Sequence, residues 1–277
     1  KSLNELLFTD AELAYTTAAL SLLSGHLLKS PTDMSIRRAT STEESDRLFI
    51  VNGDDGTMSV FSLNRAQQVI APSSFTTDGN FEAVGIDIDT AYVIVKRTIG
   101  GAAKYYVEIF DSTLHTDSAV YSASASATGA AAQLEGKLLD IIVDGNVQAD
   151  KTVSSGTVTF DNASASNYEI GLPFAISIVT MPVEPRLQTG SIKGFKKRIL
   201  EVNAEVHDSQ AMTVNGQLVA FRQFGEDVLD SSVQKFTGIK KVGPLLGYTD
   251  EGTITVSQSV PLDLNLLALD YKLSVGV

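Results

Sequence analysis

The chain contains no cysteine and no tryptophan. The first absence removes disulfides, thiol nucleophiles and Cys-based zinc sites together, and leaves the compartment open. The second removes the commonest stacking platform for sugars. Histidine is scarce as well: His26, His115 and His207 stand singly, without His or Cys companions at ligand spacing, which argues against a metal centre. Charged residues are 19 % of 277 positions, below the usual quarter, and acids exceed bases to a net charge of −12. Such a surface repels phosphate backbones, so an ordinary nucleic-acid-reading face is excluded unless a local basic patch exists.

Long apolar runs are also missing. Nothing reaches eighteen consecutive apolar residues, so no membrane-spanning segment is expected, and KSLNELLFTD lacks the pattern of a signal peptide. There is no initiator Met, and residues 6–8 read as a strand entering mid-fold. The expectation is a fragment of a longer protein, with the missing part upstream.

Nucleotide and acyl-transfer motifs fail one by one. Six residues separate Gly129 from Gly136-Lys137, and Leu138 follows the lysine. A phosphate loop needs four, then Ser or Thr to hold magnesium. Gly-x-Ser-x-Gly is absent, so there is no nucleophile elbow.

What is present is the composition of strands and turns, with Ala, Ser, Thr, Val and Gly plentiful. The chain also repeats its own plan. DRLFIVN, GDDG and TMSVFSL are followed by TAYVIVKR, TIGG and AKYYVEIFD, so that Leu48, Phe49, Ile50 and Val51 fall on Tyr92, Val93, Ile94 and Val95 at an offset of 44 residues. That is the length of one four-stranded propeller blade. Each copy reads as a hairpin, with further strands at 66–72 and 81–86 between them. Gly56 and Gly101 are expected in the turns.

The expected fold is all-β. A propeller-like antiparallel meander is followed by a second β-sandwich or barrel-like region, with one short N-terminal helix. Leu13, Leu20, Leu23 and Leu27 recur near helical spacing, so the helix is placed at 12–28 and ended by Ser30-Pro31. A strand is expected at 34–39 and a polar turn at STEESD. The uncharged, small-residue stretch SAVYSASASATGAAA marks a boundary. The domains are therefore 1–115, a partial propeller-like region with the helix; 116–133, a linker or long loop; and 134–277, a C-terminal β domain. In the last, 138–143 reads as a strand buried on both faces, and Pro173, Pro182 and Pro185 confine 174–181 to a short or edge strand. Further strands are expected at 198–206, 213–217, 219–222, 252–257 and 264–273. In the first of these Ile199, Glu201, Asn203 and Glu205 share one face, and Leu200, Val202, Ala204 and Val206 the other.

Two stretches offer chemistry. Asn52-Gly53-Asp54-Asp55-Gly56-Thr57 half-matches the aspartate box of sialidase-like propellers, although Ser59 stands where that motif closes on an aromatic. The same residues are those of a tight turn. A glycosidase also needs two carboxylates at a set separation, and among 33 acids the sequence nominates no pair. The local basic cluster is Lys193, Lys196, Lys197 and Arg198 in SIKGFKKRIL, at the entry to a strand. It is a candidate subunit or DNA contact, since local cations touch phosphate even on an acidic chain. Arg37-Arg38 is read in the same way.

Several of these phrases together resemble a known family. SLLSGHLL, the run from RRATSTEESDRLFIVNGDDG to FEAVGI, and AYVIVKRTIGGAAKYYVEIFD are similar to the propeller portion of the tail nozzle proteins of short-tailed bacteriophages, also called tail tubular protein B or stabilisation proteins. LEGKLLDIIVDGNVQADKTVSSGTVTFD, NYEIGLPF, GFKKRILEVNAEV and TVSQSVPLDLNLLAL resemble the C-terminal part of that family, so the resemblance covers nearly the whole chain. It implies a structural virion protein in the tail, present in host cytoplasm during assembly. It implies a ring, six subunits in the family, meeting adaptor or portal-proximal tail proteins and tail fibres or spike, with DNA passing transiently and without sequence preference. It implies no catalytic residues, metal or cofactor. The alternative is an aspartate-box-like propeller glycosidase or carbohydrate-binding tail protein.

Overall fold

The computed structural model of the chain describes residues 2–10, 13–41, 44–124, 126–161, 166–185, 190–222, 231–245 and 247–276. The polar turn expected at STEESD contains Thr42 and Glu43, which lie outside the described residues. The protein is all-β, and it divides into two compact units, Lys1–Thr113 and Leu114–Val277.

In the first unit β1 (Asn4–Thr9) and β2 (Ala14–Ala19) form a two-stranded antiparallel ribbon. Strands β3 (Pro31–Arg37), β4 (Asp46–Asn52), β5 (Met58–Asn64) and β6 (Val69–Phe75) follow as a four-stranded meander. Then β7 (Asn80–Asp87), β8 (Thr90–Ile99) and β9 (Ala102–Ile109) make a three-stranded one. The two sequence repeats are thus the hairpins β4–β5, the central pair of its blade-like sheet, and β8–β9, in which β8 is central and β9 forms the edge.

Alternation along the strands decides what each sheet buries. Phe49 and Val51 of β4 and Met58 and Val60 of β5 point to one side, where they pack with Phe81, Val84, Ala91, Val93 and Val95 of β7 and β8. Ile50, Phe61 and Leu63 point to the other side and pack with Leu28, Leu3 and Leu20. The first sheet is therefore covered on both faces, which is why LFIV reads as an unbroken apolar run.

The helix expected at 12–28 does not form. Residues 14–19 are the strand β2, and among the described residues of this stretch helical geometry is limited to a single 3-10 turn at Gly25–Leu27. Tyr15, Thr16 and Thr17 suit a strand, β1 offers them an antiparallel partner, and Leu13 takes a positive φ of 49° that a helix cannot contain. Of the leucines that made the helical spacing, Leu20 joins the core while Leu13 and Leu23 are exposed.

The second unit contains β10 (Asp117–Ser122), β11 (Thr128–Ala130), β12 (Leu138–Val143), β13 (Asn146–Thr152), β14 (Thr157–Thr159) and β15 (Tyr168–Leu172). They are followed by β16 (Ile176–Val179), β17 (Lys197–Ser209), β18 (Met212–Val214), β19 (Gln217–Val219), β20 (Phe236–Val242), β21 (Thr255–Gln258) and β22 (Leu266–Val275). The sheet orders are β10-β15-β12-β13, β11-β14, β16-β21-β18-β19 and β20-β17-β22. The last two sheets share one core, with Met212, Val214, Val219 and Val256 from one and Ile199, Val202, Ala204, Val206 and Val242 from the other. That is sandwich packing, and among the described residues no sheet closes into a barrel.

Two expectations about this unit are corrected. The stretch 116–133 is not a free linker: β10 pairs with β15 and β11 with β14. Its small residues permit close approach, for a side chain at Gly129 would meet Ile170 Cδ1 at 2.6 Å and Phe160 Cζ at 3.0 Å. In β17 the expected faces hold from Glu201 onward, but Ile199 is buried and Leu200 exposed. A β-bulge between Ile199 and Glu201 inserts one residue and so exchanges the two faces before it.

Candidate functional site

The basic cluster lies where β17 begins, and the structure separates its four members. The backbone of Lys197 exchanges hydrogen bonds with Thr249 at 2.7 Å in each direction. Its side chain is 3 % exposed, and its ammonium donates to the Asp250 carbonyl at 3.1 Å. Lys196 reaches the Asp250 carboxylate at 2.9 Å, and Arg198 Nε donates to the Leu245 carbonyl at 3.1 Å. Burial removes Lys197 from any contact surface, while Lys193 and Lys196 remain outside. Lys197 and Arg198 thus tie the start of β17 to Asp250 and Leu245, and exposed Lys196 pairs with Asp250 beside them, contacts that sequence spacing could not reveal. Arg37 and Arg38 likewise meet Glu44 and Asp46 at 3.1 and 2.9 Å.

The turn after β4 is built around Asn52, which is fully buried. Its Nδ2 donates to the Leu27 carbonyl, Thr57 Oγ1 and Ser59 Oγ, and its Oδ1 accepts from Lys29 N. Asp55 accepts from Lys29 Nζ at 2.6 Å and from Thr57. The Lys29 contact, then that from Thr57, holds its carboxyl below the usual range. Gly56 has the expected positive φ, 67°, and its carbonyl receives Phe81 N. The half-matched aspartate box therefore works here as a knot joining the 3-10 turn, β4 and β7, and Asp55 is engaged as an anion. An acid held ionised this way suits no proton donation at neutral pH.

Neither of two clefts in the second unit supplies a carboxylate pair. One of about 140 Å³ is lined by His115, Phe174, Ile176, Gln258, Asp263 and Leu264 among others. Asp263 there takes Lys235 Nζ at 2.5 Å and stands 3.8 Å from His115 Nδ1. The other, about 290 Å³, has Glu184 as its carboxylate beside Val183, Ile254 and Tyr271. Ligand pockets run from roughly 300 to 1,000 Å³, so both are small. Among the described residues no three His, Cys, Asp or Glu side chains gather as metal ligands, and no helix is long and apolar enough to cross a membrane.

Buried charge lies elsewhere, at positions that no motif singles out. Arg97 on β8, 1 % exposed, forms a two-pronged ion pair with Glu108 of β9 at 3.1 and 2.8 Å, and also donates to Thr77 Oγ1 and the Asp78 carbonyl. Glu169 accepts from the backbone N–H groups of His115 and Thr116 and from Thr116 Oγ1. Asp140 on β12 is buried without a donor for its Oδ2.

One exposed face of the first unit is apolar. Tyr92 and Ile94 of β8 point away from the core, opposite Ile109 and Val107 of β9, with Tyr105 beside them. Tyr105, Val107 and Ile109 are 62, 72 and 56 % exposed. This outer face of the second repeat corresponds to the face that Leu3, Leu20 and Leu28 cover in the first.

No protein-family profile and no curated protein matches the chain. Among solved structures it is similar to the exo-β-1,3-galactanase of Phanerochaete chrysosporium. A single-substitution variant of that enzyme with β-1,3-galactotriose gives a TM-score of 0.27 at 13 % identity, and the form with galactose gives 0.28 at 13 %. In both, the match covers 98 % of this chain and 65 % of the other, so the chain spans less than two thirds of the neighbour's length. A likeness at that TM-score says nothing about activity.

Proposed function

We propose that the chain is a structural subunit of a virion tail, a nozzle protein of the short-tailed phage type. It assembles head to tail into a ring of six around a channel that retains and then passes genomic DNA. The observation that carries the assembly reading is the bare outer face of β8 and β9. Exposed apolar patches of this kind mark contact surfaces, and a blade-like sheet open on one face is completed by another sheet stacked on it. In the same unit the β1–β2 ribbon exposes Leu6, Phe8 and Tyr15, and a two-stranded ribbon is marginal on its own. Two unlike apolar surfaces on one subunit are what a head-to-tail contact requires. The virion setting and its partners, adaptor or portal-proximal proteins and fibres or spike, rest on the sequence resemblance. The net charge of −12 suits a wall along which DNA moves without sticking.

Light scattering and electron microscopy of the purified chain at high concentration test this reading. Self-association into rings that is lost in the double variant Tyr105→Asp, Val107→Asp, with unchanged circular dichroism, supports it. A chain that stays monomeric at every concentration would overturn it. So would turnover of chromogenic glycosides that disappears in Asp54→Asn or Asp55→Asn, because a turn acid has no chemistry to lose.

A further inference from the structure

The second unit contains a carboxyl group with no structural reason to be charged. Asp140 sits in the middle of β12, and β15 flanks it with Gly171 directly opposite. It is 5 % exposed, and its Oδ2 has no donor and no access to solvent. Its neighbour on the other side is Asp150 of β13, an exposed residue whose negative charge lies beside it. The contact falls at a β-bulge, since the register of β12 with β13 shifts between Leu139 and Ile141.

Two ionised carboxylates cannot hydrogen-bond, because both only accept. A proton on one of them turns the clash into a short, strong O–H···O bond. The other charged groups around the site are turned elsewhere. Lys151, next to Asp150, gives its ammonium to the Thr159 carbonyl and Asp161. Glu169, on the face of β15 that carries Gly171, is occupied by His115 N, Thr116 N and Thr116 Oγ1. Asp117 of β10 lies beyond Gly171, where its carbonyl and Thr116 Oγ1 close the space a side chain would need. Among the described residues, then, no cation is directed at Asp140.

We propose that buried Asp140 holds a proton beside Asp150, and that its loss on passing from mildly acidic to neutral solution sets the two carboxylates against each other and loosens the β12–β13 bulge. The direction agrees with the environment: burial first, then the charge and hydrogen bond of Asp150, raises the Asp140 carboxyl to about 6. The folded state thus keeps a proton that the unfolded chain releases near 3.8. The stabilisation is present in full below that value and is lost as pH rises through about 6. The consequence is a hairpin whose tightness is set by pH, independent of the assembly reading above.

Carboxyl carbon NMR of the whole chain, titrated from pH 3 to 8, reads the proton directly. A step for Asp140 near pH 6 that moves towards the ordinary aspartate range in Asp150→Asn is the expected result, since an Asn amide donates where a second carboxylate repels. Amide exchange supplies the conformational readout. Protection at residues 149–151 should fall across the same interval in the native protein and stay constant in Asp140→Asn. Asp140 titrating in the ordinary range in the unaltered chain would overturn the retained proton, whether or not the variants fold. Protection that does not change between pH 5 and 7.5 would overturn the loosening.

Discussion

The hairpins β4–β5 and β8–β9 follow the same sequence plan and fold to the same local structure, yet they differ in what they do with their outer faces. In the first, Ile50, Phe61 and Leu63 are covered by Leu3, Leu20 and Leu28. In the second, the matching side presents Tyr105, Val107 and Ile109 to the surface. Their polar anchors differ too. The first turns on a neutral buried amide, Asn52, while the second turns on a buried cation, Arg97, clamped by Glu108. Backbone plan and side-chain use are thus separable. The repeat specifies strands and turns, and each copy is then finished by whatever packs on it.

The polar anchors should show large effects. Replacing Arg97 with Met leaves Glu108 without its partner and should cost about 3–5 kcal/mol in urea unfolding. Asn52→Ala strands several buried groups and should cost about 2–3 kcal/mol. An Arg97 variant that is no less stable than the native chain would mean that the second hairpin is not held by its ion pair.

Burial gives the next contrast. Phe61→Ala empties a fully buried position and should cost about 3–5 kcal/mol, whereas Val107→Ala should change stability by no more than about 0.5 kcal/mol in the isolated chain. Equal costs at the two sites would break the comparison, because they would show the outer face of β9 to be part of a core.

The turn glycines sharpen it further. Gly56 and Gly101 both have positive φ, 67° and 79°. A methyl group at Gly56 would lie 2.5–2.6 Å from Asn80, while at Gly101 it meets nothing within 4 Å. Gly101→Ala should therefore cost about 1 kcal/mol from backbone strain alone, and Gly56→Ala about 2 kcal/mol or more.

The smallest effect concerns the ion pair that only the first turn has. Lys29–Asp55 is partly exposed, so Asp55→Asn should cost about 0.2–1 kcal/mol at neutral pH. The folded carboxyl lies below its ordinary 3.8. Its contribution is therefore present above that value and lost as pH falls through the folded one, so the two unfolding curves should converge in strong acid. A difference that persists there would assign the effect to the turn backbone.

Much of the architecture was legible in the sequence because it depends on local alternation and turn chemistry. LFIV, YVIV and LLDIIV read as strands without any neighbour, and Gly56 and Gly101 announced their turns. The failures came where a partner decided. Residues 14–19 became a strand because β1 lies beside them, and the leucine spacing that suggested a helix belongs to a turn with one core contact. The bulge before Glu201 reversed the faces of Ile199 and Leu200, which no count of two could foresee.

The candidate sites divide in the same way. The basic run at 193–198 was visible as charge, but that Lys197 is buried and that Lys196 and Arg198 meet Asp250 and Leu245, some fifty residues away in sequence, was decided by the fold. Arg97 with Glu108, and Asp140 with Asp150, were invisible, since a single Arg or Asp within a strand carries no pattern. What the sequence by itself determined is the strand content, the repeat, the key turns and the excess of negative charge, all set by residues acting on their own backbone or on the net field. Tertiary structure decided which faces are covered, which charges are paired and which carboxyl is denied water, because burial is a property of neighbours that the chain brings together only when folded.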